Sequence, residues 1–174
     1  VLCAPAATLL TAAAYAWADE PDAALRLCDV LQSATPGNHL VDGLRAYILA
    51  REGRIDDAYR TLTSAVVRLE HDQRSGVRAL LADQYYELGR LALAATNYHD
   101  ARVRFESAAR LSGRKLELRA WSALQLGVIC DLLRERANAQ RQYAIAAATA
   151  ADASVVKRYA ATFLRTPYAG QCLE

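Results

Sequence analysis

The chain of 174 residues has no methionine, four prolines, two phenylalanines and three histidines. Lys115 and Lys157 are the only lysines, so nearly all the positive charge is carried by arginine. Each shortage excludes something. A chain without methionine is expected to begin inside a longer, bacterial reading frame or after processing. No segment alternates apolar and polar residues as a half-buried strand does, and alanine and leucine dominate, which predicts an all-helical protein. The net charge of +2 provides no field for a polyanion, so no nucleic-acid partner is expected. The four cysteines, Cys3, Cys28, Cys130 and Cys172, form no C-x-x-C pair, which leaves a zinc or thioredoxin-type site without support. Cys28 and Cys130 fall on predicted buried helix faces, where a free thiol acts as a small hydrophobe.

Residues 1–18 carry no charge, and Ala16-Trp17-Ala18 before Asp19 resembles a signal-peptidase site. The stretch lacks a basic leading segment and is short for a membrane span. It is therefore predicted to be a helix of the fold, with no membrane span and a cytoplasmic location expected. Leu173-Glu174 reads as a cloning scar.

What is present is a repeated phrase. Tyr85, Leu88-Gly89 and Ala92 are followed by Ala101, Phe105 and Ala108. Ala123, Leu126-Gly127 and Cys130 are followed by Ala139, Tyr143 and Ala146. Twelve residues separate the glycine from the next alanine in both copies, an aromatic follows four later, and an alanine three after that. The phrase extends backwards through Ala58 to Ala24, so that the four alanines are spaced 34, 43 and 38 residues apart. Self-similarity recurring over 34 to 43 residues indicates stacked helix–turn–helix units.

The spacing predicts helices over 5–18, 21–34, 39–51, 55–70, 75–95, 98–111, 116–132, 136–150 and 153–165. Asp19 is expected to cap the second, with Pro21 in its first turn. Gly76 and the polar run 70–75 mark a turn. Gly89 and Gly127 are expected to face Ala101 and Ala139 where the helices of a unit cross, with Phe105 and Tyr143 filling space toward the next unit. The last helix places Val155, Val156, Tyr159, Ala160 and Phe163 on one face, as the cap of a helical stack requires.

These residues resemble the tetratricopeptide repeat (TPR), aromatic-x2-Leu-Gly-x2-aromatic, then Ala-x3-Phe, then Pro. Ala92 and Cys130 depart from it, and only the first unit keeps the proline, Pro36. The resemblance implies an all-α, right-handed solenoid of four helix pairs, at about 5–36, 39–72, 75–111 and 116–150, with a capping helix, in one domain over 1–172. It also implies a concave groove lined by the first helix of each pair, which binds a peptide or a helical segment of a partner protein. Carried over by position, the groove residues are Trp17, Tyr47, Arg51, Tyr86, Arg90, Trp121, Gln125 and Asp131. Aromatic residues and arginine are the types that anchor interfaces.

Catalysis has little to stand on. His71 in Glu70-His71-Asp72 and His99 beside Asp100 put imidazoles next to carboxylates, but in a turn and a helix start, with no nucleophile elbow or ligand cluster. The expectation is therefore a protein without catalytic residues, metal or cofactor. Self-association into a homodimer through the uncharged first helix, and a sensor domain of a larger bacterial regulator, are the alternatives.

Overall fold

A computed structural model describes residues 3–72 and 76–170, with side chains from residue 6 onward. All regular structure among them is helical: α1 (Cys3–Trp17), α2 (Pro21–Ala34), α3 (His39–Arg51), α4 (Ile55–Glu70), α5 (Val77–Ala94), α6 (Tyr98–Leu111), α7 (Leu116–Leu132), α8 (Arg136–Thr149) and α9 (Val155–Arg165). The predicted bounds all hold within two residues. Leu173-Glu174, Cys172 and part of the predicted 70–75 turn lie outside the described residues.

The helices fall into two compact units, Val1–Asp72 and Gln73–Glu174. In the first, α1 packs on α2, α2 on α3 and α3 on α4. Ala12, Ala16, Ala24, Cys28, Leu31, Val41 and Ile48 form its core. In the second, α5 to α9 pack in succession, and α7 also touches α5 and α9. Its core runs from Ala120 and Leu124 through Ala139 and Tyr143 to Val156 and Phe163. The buried face of α9, Val156, Ala160 and Phe163, is the predicted capping face.

Every pair is closed by the same three-residue turn. Its middle residue is left-handed: Asp19 (φ 63°), Gly53 (75°), Thr96 (58°) and Arg134 (62°). The next residue's N–H bonds to the carbonyl five residues back, Glu20 to Tyr15, Arg54 to Leu49, Asn97 to Ala92 and Glu135 to Cys130, at 2.7–2.9 Å. This is the Schellman closure of a helix end. Only Gly53 adopts it freely; a side chain in this region costs roughly 1–2 kcal/mol. Asp19 therefore does not cap α2, as the sequence suggested. Glu20 is the N-cap and its side chain makes no cap bond. The caps that do form are Asn38 on Leu40, Asn97 on Asp100 and Ser154 on Val156.

The atoms nearest the two repeat glycines belong to aromatic rings. A Cβ on Gly89 would stand 2.8 Å from the Phe105 ring, and one on Gly127 2.4 Å from the Tyr143 ring. Phe105 and Tyr143 thus lie on the glycines of their own pairs, and Tyr143 in addition reaches Phe163 of α9 at 5.5 Å between ring centroids.

Candidate functional site

The eight sequence-predicted site residues divide between the units. In the first, Trp17 ends α1 with 77% of its surface exposed, and Tyr47 of α3 is 46% exposed. Arg51 lies 6.0 Å from the centroid of the Tyr47 ring. Its guanidinium is already engaged, donating to the Ala16 carbonyl at 2.6 Å and to the Asp19 carboxylate at 3.1 Å. It secures the end of α1 and the left-handed turn rather than waiting for a ligand.

In the second unit α5 and α7 are in contact, and Tyr86 of α5 meets Gln125 of α7. Tyr86 and Arg90 are one turn apart on α5, as are Trp121 and Gln125 on α7. The Tyr86 ring meets Phe105 edge-on at 5.4 Å. Burial pushes its phenol above the ordinary value, opposed by a hydrogen bond from Gln125 and by the Arg90 charge. Gln125 is 8% exposed, and its carbonyl oxygen has no partner among the described residues. Trp121 is half-buried against the core of the unit. Arg90 remains 58% exposed and pairs with Glu87 at 3.1 Å, an exposed pair worth at most about 1 kcal/mol. Lys115 ties the start of α7 to α5, donating to the Asp83 carboxylate at 2.5 Å and the Ala79 carbonyl at 3.1 Å.

Asp131, also placed in the groove by position, belongs to the framework. Its side chain is 2% exposed. It accepts from Arg136 at 3.1 Å, from the Tyr143 hydroxyl at 2.9 Å and from the Tyr168 backbone N–H at 2.8 Å. Burial first, and then this carboxylate, hold the Tyr143 phenol protonated far beyond its usual range. Arg136 also donates to the Phe163 and Leu164 carbonyls at the end of α9. The sequence carried no signal for this cluster, because Tyr168 takes part through its backbone and lies 37 residues from Asp131.

Two solved structures of MamA share this architecture. One matches with a TM-score of 0.64 at 17% identity, over 83% of this chain and 72% of that one. The other matches with a TM-score of 0.66 at 18% identity, over 88% of this chain and 90% of that one. The chain folds like MamA. At these identities the likeness concerns the fold alone, an all-α, TPR-like helical-repeat solenoid. No protein-family model and no curated protein matches the chain.

Among the described residues, no group of His, Cys, Asp and Glu side chains is placed to hold a metal ion. No described helix is long and apolar enough to cross a membrane.

Proposed function

We propose that the protein is a non-catalytic interaction module whose α5–α7 face binds a peptide or helical segment of a partner protein. One observation carries this. Tyr86, Arg90 and Trp121, three of the types that dominate interface energetics, lie on two helices in contact, with the Tyr86 ring packed on Phe105 and beside Gln125. A face held in this way loses little freedom on binding. Gln125 acts as a positioning residue: an unpaired carbonyl buried at a helix seam is a cost to stability, which its hold on Tyr86 explains. Arg90 can exchange its exposed Glu87 for a ligand carboxylate at small cost. Arg51 and Asp131 are left out of the contact set, since their polar groups are occupied within the fold.

A random peptide library displayed on phage supplies the test. Enriched peptides are expected to combine an acidic with an apolar residue. Arg90→Glu and Trp121→Ala should each weaken their binding about tenfold or more, with helical circular dichroism retained. Arg110→Glu, on the exposed side of α6, should leave binding intact. Undiminished binding by Arg90→Glu removes the assignment.

Self-association is the second reading, favoured by α1. Residues 3–17 include no charged side chain, and Leu10 and Trp17 are 72% and 77% exposed. Apolar groups of this size left in water favour contact with a second copy. Light scattering over a concentration series should show a dimer that Leu10→Glu with Trp17→Glu dissolves. A strictly monomeric wild type rules this reading out.

A further inference from the structure

The second helices of the last two pairs, α6 and α8, both pack on α7, and a cleft of about 210 Å³ opens beside them. Its α7 residues are Leu126 and Cys130, 7% and 6% exposed. At 100° per residue these lie across the helix from Trp121 and Gln125, so the cleft is separate from the α5–α7 face.

The two walls are joined by one rung and not by the next. Near the start of both helices, Arg102 of α6 meets Glu135, just before α8, at 3.0 Å. The Asn138 amide donates to the same carboxylate at 3.1 Å, and Arg102 lies 3.9 Å from the Cys130 sulfur. One turn further on, Glu106 of α6 and Arg141 with Gln142 of α8 line the cleft. No ion pair or hydrogen bond engages these three side chains among the described residues. The first rung neutralises itself. The second leaves one anion and one cation, each exposed and without a protein partner among the described residues.

We propose that this cleft is a binding site for a small zwitterion of amino-acid size, with its ammonium on Glu106 and its carboxylate on Arg141. A carboxylate suits the guanidinium fork, and Gln142 adds an amide donor. A lone anion would meet Glu106, and a lone amine would meet Arg141; only a ligand with both charges satisfies both walls. The volume is below the range of drug-sized sites, which suits a small ligand. Leu126 and the neutral Cys130 thiol, whose pKa burial raises, provide an apolar contact for a small aliphatic side chain.

The test titrates the protein with L-leucine, leucinamide and N-acetyl-leucine, reading backbone amide shifts by NMR. Leucine is expected to shift the amides around Leu126, Glu106 and Arg141. Leucinamide, lacking the carboxylate, and N-acetyl-leucine, lacking the ammonium, should bind about tenfold more weakly or worse. Glu106→Gln and Arg141→Gln should each lose leucine binding to a similar extent, and the exchange Glu106→Arg with Arg141→Glu should recover part of it. Three results each overturn the proposal: no leucine-induced shifts, equal binding of all three compounds, or stability coupling between Glu106 and Arg141 in a ligand-free double-mutant cycle, which would show the second rung closing on itself. None depends on peptide binding at α5–α7.

Discussion

Asp131→Ala is expected to cost the second unit about 3–5 kcal/mol, the usual effect of removing one partner from a buried ion pair. The Asp131 side chain is 2% exposed and Arg136 29% exposed. Alanine would leave the Arg136 charge without its counter-ion and the Tyr143 hydroxyl and Tyr168 N–H without their acceptor. Tyr143→Phe removes one donor while leaving the ion pair in place, and should cost only about 1 kcal/mol. The chain has two tryptophans, Trp17 in the first unit and Trp121 in the second. In a Trp17→Phe background, fluorescence during urea unfolding therefore reports on the second unit alone. If Asp131→Ala shifted the midpoint no more than Tyr143→Phe, the carboxylate would not be the centre of the cluster.

The second large effect is at the glycine–aromatic contact of the α5–α6 pair. Phe105 is 0% exposed, and its truncation to alanine should cost about 3–5 kcal/mol by leaving a cavity. Gly89→Ala sets two effects against each other. Alanine gains up to about 1 kcal/mol of helix propensity, but its Cβ would stand 2.8 Å from a ring with nowhere to go. Overpacking of this kind costs about 1–3 kcal/mol, so the clash should win. Gly89→Leu with Phe105→Ala places the bulk on the opposite helix. The double variant should be less damaged than the sum of its single changes, with a coupling of about 0.5–3 kcal/mol in denaturant melts. Strict additivity would mean that glycine and ring do not share the space.

The reasons for agreement and disagreement with the sequence are specific. The helices were legible because apolar spacing and turn chemistry act within a few residues, as at Pro21 in the first turn of α2 and Gly76 before α5. The small residues Gly89, Gly127, Ala101 and Ala139 were legible as packing positions, since a crossing of two helices tolerates little bulk. Their partners were not. Alignment of one repeat on another says which positions are equivalent, and it cannot say which side chain fills the space above a glycine. The turn slot shows the same limit. Gly53 marks it, but Asp19, Thr96 and Arg134 hold the same left-handed backbone with side chains that give no hint of it.

The candidate site separates along the same line. Tyr86, Arg90, Trp121 and Gln125 were chosen by position within a repeat, and of these Gln125 of α7 meets Tyr86 of α5. Arg51 and Asp131 were chosen by the same rule and are occupied by the Ala16 carbonyl and Asp19 in one case, and by Arg136, Tyr143 and Tyr168 in the other. By itself the sequence determined the helices, their pairing and the small residues at their crossings, because these follow from short-range periodicity and size. Only the tertiary structure decided which charges are spent on the fold, at Arg51 and Asp131, and which remain available, at Arg90, Glu106 and Arg141. Packing chooses a charged group's partner from segments far away in the chain, and short-range pattern carries no record of that choice.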